Sequence, residues 1–413
     1  MRIGGIGESG DGGNSDGGTG DGGNGGGDTE SSAERPGLRG RLRRAGKYQL
    51  LVVGTAFVVL VAGVAVAVAV TGDEDGEKCH EVPASVRALA DDPAAATKAL
   101  DPGDELDRIS SASHLLAHGA VCGDGARVLG RVVDAGTRAT GPGKPHTAAQ
   151  ARSAYAVAAA LSGEEIPAGL APGVARMLAE YVVDAGRDDG FGGNDATSPV
   201  ALPNEALPDK NGYTELGRFL APDEVHTRFE YDDYDANTDM KTLVAELAED
   251  PEAFAVLYDA ERANLAAYLE RLTDEGGDPD FRPSPADRRS GPTTWPDNDL
   301  QDLAGRVGTL MKHRANHTRD GTISDLDAFD RSVREHTRGT FRPAEKQLKT
   351  RLPVGDIADR PVAGPVRGDL MDGREQLFTV LDRWAEQRHI PDRRASAMRQ
   401  LMDDFYVRGL WLR

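Results

Sequence analysis

Leu51-Val-Val-Gly-Thr-Ala-Phe-Val-Val-Leu-Val-Ala-Gly-Val-Ala-Val-Ala-Val-Ala-Val70 is the stretch on which the architecture of this chain turns. With Leu50 and Thr71 it makes 22 residues without a charge. At about 1.5 Å per helical residue such a run reaches about 33 Å, enough to cross a hydrocarbon core of about 30 Å. A transmembrane helix over 48–71 is therefore the expectation. A core helix in a soluble protein rarely runs that far without a polar face.

The flanks give the run a direction. Arg35, Arg39, Arg41, Arg43, Arg44 and Lys47 stand before it, and Asp73, Glu74, Asp75 and Glu77 follow it. Positive charge marks the cytoplasmic side, which places residues 1–47 inside and everything after about 72 outside, in a single-pass cell-membrane protein. A cleaved signal peptide is the competing reading, since Ala65-Val66-Ala67 has the small-x-small form; the length of the run and of the tail before it favour an uncleaved signal-anchor.

Residues 1–47 read as a disordered cytoplasmic tail with a basic juxtamembrane segment. Fourteen of the first 27 residues are Gly, and apolar groups that could offset the entropy of ordering are nearly absent. Seven basic and seven acidic side chains cancel within 1–47, so the net charge of −20 belongs to the residues after 71. An acidic outer part argues against nucleic acid, which needs a basic footprint. The only two cysteines, Cys79 and Cys122, fall outside, where an oxidising compartment permits a disulfide.

The outer part reads as mostly α, in two helical regions. The first, 72–190, is Ala-rich, with helices expected over 82–90, 93–100, 106–119, 125–135, 147–161 and 172–185, where apolar residues recur at three and four positions. Val132-Val-Asp-Ala-Gly136 recurs as Val182-Val-Asp-Ala-Gly186, a weak repeat suggesting two helix ends capped by Gly. Residues 191–212 form a turn-rich loop or linker. The second region, 213–413, predicts helices over 214–220, 222–229, 241–248, 251–272, 300–315, 324–337, 343–352, 374–388 and 391–407, with an apolar carboxy-terminus that docks.

Three places carry candidate site residues. Asn316-His-Thr-Arg-Asp-Gly-Thr-Ile-Ser-Asp-Leu-Asp327 resembles a degenerate EF-hand, with Asn316, Thr318, Asp320 and Asp327 as calcium ligands and Gly321 at the turn. Position 1 lacks a carboxylate and position 12 is Asp instead of Glu, so a helix–turn–helix with Ser324 as cap competes. Glu230–Asp239 alternates acids with Tyr231 and Tyr234 and reads as a solvated acidic loop. His114 with His118, and His313 with His317, are spaced to share a helix face, but each pair is half a zinc site. No Ser or Cys stands in a nucleophile elbow, and nothing selects two of the outer carboxylates as a hydrolytic pair. No cofactor other than calcium is implied.

The expected function is membrane-anchored binding, sensing or attachment, with a protein partner on the cytoplasmic or envelope side; an anchored hydrolase of peptidoglycan or glycan is the alternative. High Ala, Gly, Arg and Asp usage resembles that of actinobacterial proteins. In layout, with Gly-rich inner tail, basic flank, one span and outer domain, the chain resembles the membrane factors that attach cytoplasmic contractile, phage-tail-like injection systems to bacterial membranes. That resemblance implies a cytoplasmic partner for the tail.

Overall fold

The computed structural model describes residues 58–61, 64–67, 79–116, 120–139, 144–186, 198–203, 224–231, 238–277, 295–337 and 373–411. Residues 1–47, expected to be a cytoplasmic tail, the 191–197 and 204–212 parts of the expected linker and the helices expected at 214–220 and 343–352 lie outside them.

The described residues are mostly helical. In chain order they form β1 (Val58–Val61), β2 (Val64–Ala67), α1 (Ala84–Leu89), α2 (Pro93–Leu100), α3 (Ile109–Leu116), α4 (Gly125–Thr137), α5 (Ala148–Leu161), α6 (Ala171–Glu180), α7 (Val182–Ala185), β3 (Val200–Ala201), β4 (His226–Thr227), α8 (Met240–Leu247), α9 (Pro251–Leu269), α10 (Trp295–Asp320), α11 (Leu326–His336), α12 (Gly373–Arg388) and α13 (Asp392–Trp411).

Two expectations are not met in the described residues. Among the described residues no helix is long and apolar enough to cross a membrane. Inside the apolar run, β1 and β2 pair antiparallel, with Val58 opposite Ala67 and Val61 opposite Val64. Val and Ala alternate from Val64 onward, and β-branched side chains with one favoured rotamer lean toward strand when nothing else decides. The helix expected over 222–229 does not form at its described residues, 224–229. His226–Thr227 is instead a strand on Val200–Ala201, extended by Arg228 N donating to Pro199 O at 2.7 Å.

Aspartates start many of the helices. Asp92, Asp239, Asp250 and Asp325 each accept a hydrogen bond from the backbone N–H three residues on, at 2.9–3.0 Å, and open α2, α8, α9 and α11. Each satisfies a donor that the first helical turn leaves unpaired, worth about 1 kcal/mol. Pro93 and Pro251 follow two of these caps at the first helical position, where a missing N–H costs nothing. α5 opens on a reciprocal box: Gln150 N donates to Thr147 Oγ1 and Thr147 N to Gln150 Oε1.

One cluster of buried apolar side chains runs from Val82 to Tyr406, and α9 lies at its centre. The sequence predicts an apolar stripe on this helix, yet every residue from Ala253 to Leu269 is buried, Asp259, Glu261, Arg262 and Asn264 among them. Helices α6, α10, α11 and α12 all pack on it. Phe254, Tyr258 and Leu265 each contribute about 1.5–3 kcal/mol of burial.

Glycine lets two helix pairs meet backbone to backbone. A Cβ at Gly173 of α6 would lie 2.1 Å from the carbonyl oxygen of Gly130 in α4. A Cβ at Gly308 of α10 would lie 2.2 Å from Tyr406 O, and one at Gly409 of α13 2.1 Å from Gly305 O. Asp297 meets Arg394 at 2.6 Å near the start of both helices, so α10 and α13 run in the same direction. α12 returns antiparallel, tied by Arg374–Asp403 and Arg399–Asp382. The carboxy-terminal helix docks through Tyr406 and Leu410, while Trp411 is exposed.

Candidate functional site

The disulfide expected from the cysteine count is present. Cys79 and Cys122 are bonded, with Cα atoms 5.1 Å apart. Beside it His80 pairs with Val121 in a parallel bridge, and Cys122 N donates to His80 O at 2.9 Å. The bond thus fastens the segment entering α1 to the start of α4.

The calcium-like segment is a helix–turn–helix. α10 continues through Asn316 and Thr318 to Asp320. Thr318 Oγ1 donates to Arg314 O, as a helical threonine does, and Asn316 Oδ1 accepts from Arg319. Gly321 takes φ +91°, the left-handed conformation that glycine adopts without a Cβ penalty. Asp320 accepts from Thr322 N at 3.0 Å, which lowers its carboxyl's pKa. The cap of α11 is Asp325, one residue beyond the Ser324 expected, and Asp327 sits in the first turn. Among the described residues no group of three or more His, Cys, Asp or Glu is gathered as a metal would require.

Of the acidic Tyr-rich loop, 232–237 lie outside the described residues. Tyr231 packs edge-on against Tyr155, whose hydroxyl donates to Tyr231 O, and Asp239 is the α8 cap. His114 lies on α3, and His118 is outside the described residues. His313 and His317 share α10 but serve different surroundings. His317 reaches the end of α8, with Nε2 2.9 Å from Ala245 O and Nδ1 3.4 Å from Glu249.

His313 instead borders a cavity of about 90 Å³. Five helices build its wall: Leu178 from α6, Val182 from α7, Met240 and Val244 from α8, Leu257 and Glu261 from α9, and Arg306, Leu310 and His313 from α10, with the paired residues of α8 and of α9 four positions apart on one helix face. Arg306 Nη2 donates to Glu261 Oε1 at 2.5 Å and to Val182 O at 3.0 Å. Gly186, read from the sequence as a helix-cap glycine, has an ordinary helical φ of −78°. Its missing side chain makes room for the guanidinium, because a Cβ there would lie 1.6 Å from Arg306 Nη1. His313 Nε2 is buried and finds no hydrogen-bond partner among the described residues. Burial, and then the neighbouring Lys312 and His317, push its imidazole down to about 4 from 6.5, so it is neutral at pH 7. Lys241, an exposed residue, marks the side where the cavity meets the surface.

A second buried polar group locks the same region. Asp184 of α7 accepts from Thr227 N at 3.0 Å and lies 3.0 Å from His226 Nδ1, all of it shielded from solvent. Tyr181, at the break between α6 and α7, donates its hydroxyl to Thr137 O at 3.1 Å and stacks on His146 with centroids 4.3 Å apart. Burial, with Asp184 and Glu180 nearby, holds the Tyr181 hydroxyl far above its ordinary value, so it stays a donor. Sequence reading misses both clusters. Val182–Gly186 is legible only as a repeat, while its Asp184 and Gly186 act through residues 42 and 120 positions away in His226 and Arg306.

Comparison of the chain with protein-family models, with curated proteins and with solved structures returned no match.

Proposed function

We propose that the protein is a membrane-anchored binding and attachment protein whose helical body lies outside the cell membrane and whose residues 1–47 face the cytoplasm. The observation that carries this reading is the Cys79–Cys122 disulfide, since such bonds form and persist in oxidising compartments. It lies just after the apolar run and ties that exit segment to the folded helices. The basic-before, acidic-after flanks support the same orientation.

In this reading residues 48–71 span the bilayer as a helix. An isolated hairpin of four-residue strands is marginal in water. In hydrocarbon its unpaired edges would cost several kcal/mol for each exposed group, whereas a helix of 22 uncharged residues satisfies its backbone internally. The acidic outer body engages a protein of the envelope, and the tail reaches a cytoplasmic partner. A membrane factor of a contractile injection system is the form of this reading that the layout resembles. An envelope hydrolase that cleaves glycan would in most cases require two carboxylates across a cleft. The described cavity is lined by one, Glu261, and that one is held by Arg306.

Protease added to intact spheroplasts tests the orientation. Digestion of the body with protection of a tag placed before Met1 is the expected result, together with maleimide labelling of Cys79 and Cys122 only after reduction. A body protected from protease, or thiols that label without reductant, would overturn it.

A further inference from the structure

We propose that the cavity between α6–α7, α8, α9 and α10 is a binding site for a short branched-chain carboxylate, isovalerate being the simplest case, with the aliphatic body inside and the carboxylate at the mouth on Arg306 and Lys241. The site rests on the fold alone and does not depend on where the chain sits in the cell.

Volume and wall set the body. An apolar cavity of about 150 Å³ accepts benzene, so the 90 Å³ here suits about four carbons. Leu178, Val182, Val244, Leu257 and Leu310 offer them branched aliphatic surface.

Charge selects the head. In a chain of net charge −20, the residues lining this cavity set two cations, Arg306 and Lys241, against one acid, Glu261, and so keep one positive charge. His313 adds none, being neutral at pH 7 with its Nε2 shut off from solvent, and Thr309 spends its hydroxyl proton on Gly305 O at 3.1 Å. Asp239, which feels the charge of Lys241, is engaged as the cap of α8, where it accepts from Thr242 N and Oγ1.

Arg306 has donors left for a ligand. A guanidinium carries five N–H groups. Nη2 directs its own to Glu261 and Val182 O, those of Nε and Nη1 go to none of the described residues, and 18% of the side chain stays exposed. A carboxylate taken up there makes charge-assisted hydrogen bonds without displacing Glu261. At the mouth it keeps part of its hydration, which limits the desolvation that penalises a fully buried charge. A mostly apolar wall with a few polar groups at one side is the usual make-up of small-molecule sites.

The test uses the full-length protein in detergent at pH 7.5, with labelled methionine methyls followed by NMR and isovalerate as the probe. The methyl of Met240, a buried lining residue, is expected to shift and to saturate, with half-saturation at millimolar concentration or below. Isovaleramide, nearly equal in shape but uncharged, is expected to bind about tenfold more weakly, the margin of a charge-assisted over a neutral hydrogen bond. Isoamylamine, with the opposite charge, is expected not to bind. Lys241→Gln, a change at an exposed residue, is expected to weaken isovalerate about threefold and to leave the amide unchanged. A Met240 methyl unmoved at 100 mM isovalerate would overturn the proposal, and so would amide or amine binding as tightly as the acid in the unaltered protein. Isovalerate bound equally by Lys241→Gln would overturn the part given to Lys241.

Discussion

Replacing His313 with leucine should change how the stability of this protein depends on pH. Burial, then Lys312 and His317, bring the folded imidazole down to about 4 from 6.5. The unfolded chain binds a proton at this ring below about pH 6.5, and the folded chain does not until about pH 4. A histidine depressed on folding therefore subtracts stability as pH falls through that window. The loss begins near 6.5, grows by about 1.4 kcal/mol for each pH unit and levels off below about 4, near 3 kcal/mol in all. Above pH 7 the ring is neutral in both states, and the difference between His313→Leu and the unaltered protein there is packing alone. Urea denaturation followed by circular dichroism at pH 7.5, 6, 5 and 4 gives the comparison. Carboxylates also titrate in this range, but they do so in both proteins and cancel in the difference. The variant is expected to gain about 3 kcal/mol relative to the unaltered protein between pH 7.5 and pH 4. A difference that stays constant, or one in which the histidine protein gains in acid, would refute a buried neutral His313.

Gly308→Ala should destabilise by about 1–3 kcal/mol in urea, although alanine is the better helix former, because its Cβ would lie 2.2 Å from Tyr406 O and must part α10 from α13. A stabilised variant would mean that the two backbones are not in contact. Asp330→Ala removes the carboxylate that accepts from Arg314 Nε at 2.8 Å and Nη2 at 2.5 Å, and should cost about 3 kcal/mol, while Arg314→Met with Asp330→Leu recovers most of it. Substituting both cysteines by serine releases a crosslink spanning 43 positions and should cost about 4 kcal/mol, with a loss near zero counting against a native bond. Millimolar calcium and a chelator should give the same melting temperature, since Asn316 and Thr318 belong to α10; a saturable rise abolished by Asp320→Ala would restore the ion-binding loop.

Much of the helical order is written locally. Asp92-Pro93 and Asp250-Pro251 announce helix starts, Thr147 with Gln150 announces another, and the boundaries expected at 93–100, 147–161, 251–272 and 374–388 lie within a few residues of those found. These signals survive in the sequence because a cap and its first turn lie within four residues of each other. Where the reading departs, distant contacts decide. Residues 222–229 carry enough Glu, Val and Arg to pass for a helix, but β4 is held by Val200–Ala201 and by Asp184. The stripe expected on α9 is one face of a helix that packing surrounds on every side, so its charged residues are buried with the rest.

What the sequence by itself determines here is composition and local grammar: an uncharged run of 22 residues with opposite charge at its two ends, one cysteine pair, and a succession of capped, Ala-rich helices. What only the tertiary structure decides is which helix becomes the centre, which glycines let backbones touch, and which histidine of an i,i+4 pair faces a cavity. His313 and His317 differ little in sequence. They differ in which neighbours α6, α8 and α9 bring to each, and those neighbours arrive from more than 50 residues away along the chain.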